Sequence, residues 1–398
     1  MRAGNGAALA ASVNSAALAA LSVTQIASWG PLYYAFSVLM KPMQTELGWS
    51  RDLLVGGHAV ALLVWGLSAY PTGRLIDRYG GRLVMSVGSV LATLAFAMLA
   101  YTHSVAVYYA AWVVAGVAMA LCLYEAAFTV LTIAYRERSR WAITVLTLAG
   151  GFASTVFWPI TQTLVDAYGW RSAVLWLAAI QFALCLPLHA LALPGASRAV
   201  AVAEKKVAQG HAWLRSPAFW LLAISFTANS FVTAAISVHV IALLGERGLV
   251  ASDAVWLGAL IGPMQFSGRL MEFLFGKRLP ATGVGTVTVL LLPASLVMLM
   301  IAGASIPILM AFVLLYGAGL GLYTIVRATT PAELFGRDNF GALNGALAAP
   351  SLFARAAGPI GASFVVTASG GYAAALWMLL GITVAGAVSY WVAVARKG

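Results

Sequence analysis

Gly73-Arg74-Leu75-Ile76-Asp77-Arg78-Tyr79-Gly80-Gly81-Arg82 is a charged, glycine-marked link between two apolar runs, residues 53–72 and 83–101. Each run matches the roughly 20 residues that cross a bilayer core. Two helices joined by so short a link lie antiparallel and adjacent. Glycine at 73 and 80 is expected to let the helix ends approach closely. Asp77 is placed to meet an arginine or a helix N-terminus, where the peptide dipoles favour negative charge.

The rest of the chain has the same character. Hydrophobic residues make up 62% of its 398 positions and charged residues only 9%, against about 25% charged in soluble domains. No soluble fold of this length hides so much apolar surface, so the sequence reads as an all-α integral membrane protein whose first partner is the lipid bilayer. The 13 Trp and 14 Tyr suit interfacial belts as well as a cavity lining. A formal net charge of +11 would suggest nucleic acid in a soluble protein. Here, with the N-terminus cytoplasmic, most of the 23 Lys and Arg fall on the cytoplasmic side. That asymmetry follows the positive-inside rule, sets both termini in the cytoplasm, and argues against a nucleic-acid partner. Cys122 and Cys185 lie in apolar runs and read as small buried hydrophobes, not a disulfide. The Ala/Ser-rich N-terminus lacks a signal-peptide pattern and leads into the first span.

Hydropathy predicts about twelve spans, near residues 15–40, 53–73, 83–101, 105–133, 141–166, 171–193, 218–244, 252–276, 284–303, 306–329, 340–367 and 371–395. The long polar interval 194–217, with Glu204, Lys205, Lys206, His211 and Arg215, divides them six and six. The predicted organisation is therefore an N-terminal bundle (1–193), a cytoplasmic linker (194–217) that carries a surface helix near 198–209, and a C-terminal bundle (218–398). The halves repeat with an offset of about 200 residues: Tyr168-Gly169-Trp170 sits against Ser369-Gly370-Gly371, Arg136 against Arg337, and Trp158-Pro159-Ile160 against Gly358-Pro359-Ile360.

Within this polytopic setting, the opening stretch resembles the signature loop between transmembrane helices 2 and 3 of the major facilitator superfamily, of pattern G-x-L-a-D-R-x-G-R. Gly73, Leu75, Asp77, Arg78, Gly80 and Arg82 fill it almost completely. The resemblance implies a secondary transporter of the cell inner membrane, a functional monomer with twelve transmembrane helices in two pseudo-symmetric six-helix bundles. One substrate site lies near the midplane between halves that rock. It also assigns conformational gating to Gly73, Asp77, Arg78, Gly80 and Arg82. A second resemblance is to the monocarboxylate and oxalate transporters. It rests on Phe36-Ser37-Val38-Leu39-Met40-Lys41-Pro42-Met43, Leu47-Gly48-Trp49-Ser50-Arg51 and Gly169-Trp170-Arg171. Animal members carry a substrate-linked lysine in helix 1. The matching position here holds Tyr34, a departure from lactate-type chemistry.

A charge inside a spanning helix costs at least about 2.5–3.5 kcal/mol, so each one is a functional candidate. The candidates are Glu125, Arg269, Glu272, Arg327 and Arg355, with His58 and His239 as further titratable groups. Arg269 has two readings. Gly268-Arg269-Leu270-Met271-Glu272 followed by Gly276-Lys277-Arg278 looks like a worn copy of the Gly73 loop, which puts Arg269 in the cytoplasm. Alternatively, Asp253 to Gly268 spans only about 22 Å of helix, short of a core of about 30 Å, so Arg269 lies inside the membrane. The transporter resemblance, which includes a substrate-binding Arg in helix 8, favours the second. Helices 1, 4, 7 and 10 line the cavity in that superfamily. The substrate-binding set is therefore Arg269, Arg327, Tyr124, Tyr323, Tyr34 and Asn229. Glu125 and His58 are the candidate proton carriers.

Three intramembrane Arg against two Glu favour a small organic anion, a carboxylate first, with protons as a coupling partner. The alternative is a drug/proton antiporter with an apolar cavity. Gly150-Gly151 and Pro159 resemble the antiporter signature, interrupted by Thr155, Val156 and Phe157. A receptor or assembly subunit is a third class, disfavoured by the intact loop. No phosphate loop, metal-spaced Cys/His set or nucleophile–base pair occurs, so no enzyme activity, cofactor or metal is expected. Gly317-Ala318-Gly319-Leu320-Gly321 reads as a helix-packing surface.

Overall fold

The computed structural model describes residues 2–135, 138–195, 212–275, 280–336 and 340–396. Among these residues all regular structure is helical. The first unit holds α1 (Arg2–Trp29), a π-turn (Gly30–Tyr34) and α2 (Ala35–Leu47), followed by α3 (Arg51–Ala100), α4 (Val105–Cys122) and α5 (Tyr124–Tyr135). Then come α6 (Ser139–Gly150), α7 (Ala153–Ile180), a second π-turn (Gln181–Cys185) and α8 (Leu186–Ala192). The second unit holds α9 (Pro217–Glu246), α10 (Ala251–Ala259), α11 (Ile261–Phe275), α12 (Ala281–Ile301), α13 (Ile306–Phe335), α14 (Phe340–Ser369) and α15 (Tyr372–Ala395). The two units are residues 1–49 with 60–204, and 50–59 with 205–398, so the first ten residues around the start of α3 cluster with the second unit. Glu204, Lys205, Lys206, His211 and the surface helix expected near 198–209 lie outside the described residues, as do Arg136, Lys277, Arg278 and Arg337.

Eight helical stretches among the described residues are long and apolar enough to cross a membrane. Two of them, Arg51–Ala100 and Trp141–Ala192, run 50 and 52 residues. At about 1.5 Å per residue each is roughly 75 Å long, more than twice a bilayer core. Each is broken inside by a left-handed glycine, Gly80 at φ 80° and Gly169 at φ 77°. The break corrects the expected turn. Residues 73–79 are helical and the reversal is confined to Gly80, where a side chain would be strained.

Close packing in the first unit runs through other glycines than the ones anticipated. A Cβ at Gly73 would meet open space, whereas one at Gly81 would strike Val130, one at Gly88 Leu121 and Cys122, and one at Gly116 the backbone of Ala61. In the second unit Gly268 faces the Ala318 backbone, while Gly317 and Gly321 face the 261–265 backbone. The stripe 317–321 is thus a helix-packing surface, as its sequence suggested, with Gly317 and Gly321 against α11 and Gly319 against Leu291 of α12.

At three interruptions of the apolar helices a freed carbonyl is met by a side chain from elsewhere. Pro31 has no amide hydrogen, so the Ala27 carbonyl loses its helical donor. Gln181 supplies one, its Nε2 donating to that oxygen at 2.8 Å. Between α4 and α5 the backbone turns extended at Leu123. The Cys122 carbonyl freed there accepts from Gln25 Nε2 at 2.7 Å. The Tyr34 carbonyl, at the end of the first π-turn, accepts from Trp158 Nε1 and Ser37 Oγ, both at 2.8 Å. In a medium without water an unmet carbonyl is costly, so these bonds decide where a break is tolerated. Replacing Gln181 with Leu should destabilise the protein by about 1–3 kcal/mol, the cost of a buried unsatisfied group. Thermal unfolding in detergent checks this, with Gln162→Ala, which removes only a surface bond to Asp166, expected to stay within about 0.5 kcal/mol of wild type.

Candidate functional site

In the second unit, Arg269 lies within α11 and is only 8% exposed. Being helical does not separate the two sequence readings, because Arg74 at the matching place is helical too. The two do differ in burial, since Arg74 is exposed. The contact of Gly268 with the Ala318 backbone draws α11 onto α13 and fixes the root of the Arg269 side chain there. Tyr323, two residues past Gly321 on α13, donates its hydroxyl to the Phe226 carbonyl at 3.2 Å and stands edge-on to the Phe226 ring. The Ser230 side chain and the Arg327 and Arg355 guanidinium groups lie close enough to act on the same hydroxyl. Gly358 brings α14 against the Phe231 backbone of α9, three residues beyond Arg355. Asn229 sits in the same turn of α9, with its Oδ1 buried and unpartnered among the described residues. Arg327, Arg355 and Ser230 are thus in the surroundings of the Tyr323 hydroxyl, with Asn229 next to Ser230 on α9. Sequence reasoning counted Arg355 among the charged candidates and left it out of the substrate-binding set.

In the first unit, Tyr34 and Tyr124 both pack on Trp29, with ring centroids 6.4 and 4.9 Å away. Trp29 also meets Tyr33 at 5.3 Å and Trp65 at 5.4 Å, Tyr34 meets Trp158 at 5.5 Å, and Tyr124 stacks on Phe128 at 5.1 Å. The π-turn Gly30–Tyr34 is what brings the consecutive rings Tyr33 and Tyr34 into one cluster. Such single-turn bulges recur at functional sites. Gly150 leaves the space that the Tyr124 hydroxyl fills. Trp29, Trp65 and Trp158 escaped the sequence reading; the Trp29-Gly30-Pro31 step was the available signal.

The two proton candidates fall in different settings. Glu125 was expected deep in an uninterrupted helix. The break at Leu123 instead puts it in the first turn of α5, and it is exposed. There its carboxylate gains from the unpaired amides of a helix N-terminus. His58 is fully buried in the part of α3 that clusters with the second unit.

Among the gating candidates, Asp77 and Arg78 are exposed, Arg78 lies over the Tyr79 ring at 5.1 Å, and Asp77 has no ion-pair partner among the described residues. Arg82 is tied down: its Nε donates to the Leu193 carbonyl at 2.8 Å and its amide to Pro194 at 3.3 Å. The Gly169-Trp170-Arg171 motif has a structural use. Arg171 pairs with Glu46 at 2.7 Å and donates to the Ala100 and Thr102 carbonyls at 2.6 and 3.0 Å, while Trp170 Nε1 donates to Glu46 at 2.6 Å. It binds the end of α2 to the end of α3. Near the corresponding place in the second unit, the Glu246 carboxylate accepts from the Tyr372 amide at 3.2 Å, just after Gly370 at φ 79°.

A Major Facilitator Superfamily sequence profile matches residues 16–295. The chain belongs to the major facilitator superfamily. It is a membrane transporter family, not an enzyme class. Human monocarboxylate transporter 11 is 34% identical over 137 residues, covering 34% of this chain and 29% of that protein. The oxalate:formate antiporter of Oxalobacter formigenes is 22% identical over 209 residues, covering 50% of this chain and 48% of that one. The matches thus span between about three-tenths and half the length of these relatives. Among solved structures, the nucleoside transporter NupG aligns with a TM-score of 0.74 at 12% identity, covering 96% of this chain and 99% of that one. A bacterial homologue of the lysosomal transporter Spinster gives 0.71 at 16% identity, covering 97% of both chains. These likenesses establish the all-helical superfamily fold.

Within the superfamily loop, Gly80 and Gly73 should respond oppositely to alanine. Gly80→Ala forces a side chain into a region almost reserved for glycine, at a cost of about 1–3 kcal/mol. Gly73→Ala, helical and facing open space, should be neutral or stabilising by up to about 1 kcal/mol. Unfolding temperatures of the two variants check the order.

Proposed function

We propose that this chain is a secondary transporter of a small organic anion, first a carboxylate, working by alternating access in the cell inner membrane with both termini cytoplasmic. The full arrangement is twelve spans in two six-helix bundles, residues 1–193 and 218–398, joined by a linker at 194–217. The broken 50- and 52-residue stretches, each too long for one crossing, support more crossings than eight. The observation that carries the anion reading is Arg269, a guanidinium 8% exposed on a helix of a membrane-embedded unit. A charge placed within a membrane helix is costly, which makes Arg269 a functional candidate. Arg327, Tyr323 and Asn229 are assigned to the same task, and Tyr34 and Tyr124 to the wall of the site. The partial likeness to a monocarboxylate transporter and an oxalate:formate antiporter supports the same class of substrate.

The guanidinium fork can hold a carboxylate with two parallel hydrogen bonds, which a lysine cannot. Arg269→Lys should therefore weaken carboxylate binding by roughly 1.5–3 kcal/mol, about 10- to 150-fold, while Arg74→Lys changes it little. Equilibrium binding of acetate, oxalate, benzoate and tetraphenylphosphonium to purified protein tests both the class and the residue. Binding of the cation alone would establish the second reading, an exporter, which the Trp29–Tyr124 aromatic cluster favours.

Proton coupling is assigned to Glu125, with His58 as a second carrier. Glu125→Gln should leave substrate exchange intact and abolish its response to an imposed pH gradient. Uptake by the variant that follows the gradient as in wild type would make Glu125 a helix-terminus residue and nothing more.

A further inference from the structure

At one end of the second unit, the ends of α9 and α12 and the start of α15 surround an apolar groove of about 340 Å³. Its walls follow helical spacing. Val297 and Ile301 stand one turn apart on α12, and Ala373, Leu376 and Trp377 share one face at the start of α15. Leu376 is 1% exposed and lies at the floor, whereas Ile301 and Trp377, at 61% and 66%, stand at the rim. The small side chain of Ala373 leaves room that a larger one would take. In a membrane-embedded unit an open apolar groove meets acyl chains, and an exposed Trp beside it suits the interfacial belt.

One charge borders this groove. Arg247, the residue that ends α9, contributes to the lining. It takes part in no ion pair among the described residues. The adjoining Glu246 is engaged elsewhere, since its carboxylate accepts from the Tyr372 amide at 3.2 Å. Directly after Arg247 the chain turns at Gly248, with φ 94°, so the guanidinium belongs to a helix end and not to a helix interior. An arginine placed there lays its stem along apolar surface and carries its head to the water boundary. The anion met at that boundary is the phosphate of the lipid headgroups, and the planar fork of a guanidinium matches phosphate oxygens in pairs. A small hydrophilic anion would use the charge and leave the groove idle. A phospholipid uses both.

We propose that this groove is a binding site for a single membrane phospholipid, with an acyl chain lying between α12 and α15 and the phosphodiester held by Arg247. The proposal rests on membrane embedding alone and is independent of the anion reading.

Native mass spectrometry tests it on the full chain, freed of lipid in detergent and titrated with dioleoyl phosphatidylglycerol to give the dissociation constant of the first lipid bound. Arg247→Ala should weaken that constant several-fold, and Arg247→Lys less. Ala373→Phe, which fills the groove, should weaken it to a similar extent. The double variant should lose little more than either single one, because both changes act on one site. Dioleoylglycerol, with the same chains and no phosphate, should bind the wild type several-fold more weakly and be indifferent to Arg247→Ala. Arg396→Ala, exposed at the other end of α15, should leave the constant unchanged. Should Ala373→Phe fail to fold, Arg247→Ala and the two lipids decide. Equal first-lipid constants in wild type and Arg247→Ala, or equal binding of the two lipids, would overturn the proposal and leave only a lipid coat without a site. A wild-type dimer that Ala373→Phe abolishes would overturn it too, by giving the groove to a second copy of the chain.

Discussion

A carbonyl left without a donor inside a bilayer has no water to turn to, and much of this structure follows from meeting that demand. Ala27, Tyr34, Cys122, Ala100 and Thr102 each present a carbonyl at a helix break or end, and Gln181, Trp158, Gln25 and Arg171 meet them from distant parts of the chain. These bonds allow helices to break where side chains must be re-aimed. The break at Pro31 gathers Tyr33 and Tyr34 beside Trp29, and the one at Leu123 sets Glu125 at a helix start.

The two units use the same chemistry with different strengths. In the first, an ion pair and an indole hydrogen bond hold Glu46, Trp170 and Arg171 in one knot. In the second, Glu246 meets a backbone amide, and the neighbouring charges Arg51 and Asp52 meet a ring and two hydroxyls among the described residues. Arg269 is buried on α11, next to the glycine contact of that helix with α13.

Much of this was legible in the chain. Apolar runs and the Gly73–Arg82 pattern fixed the class, because length and hydropathy are summed over many residues and tolerate local error. The glycine stripe 317–321 was readable because small residues at helical spacing have one main use. What escaped depended on single distant partners. Nothing local marks Leu123 as a break, since no Gly or Pro is near it, and the repair comes from Gln25, 97 residues away. For the same reason Glu125 was expected mid-helix, and Gly73 was credited with a close approach that Gly81 and Gly88 make. Helix length argued for Arg269 within the membrane, but the grouping of Tyr323 with Arg327 and Arg355 needed the packing of α9, α13 and α14.

The central claim is that the buried guanidinium of Arg269 exists to take an anion across the membrane. Counterflow in proteoliposomes addresses it directly: vesicles loaded with an unlabelled small carboxylate are diluted into a trace of the labelled one. The wild-type protein should transiently concentrate label inside, and Arg269→Ala vesicles should behave like protein-free ones. Counterflow of equal size in wild type and Arg269→Ala would contradict the claim.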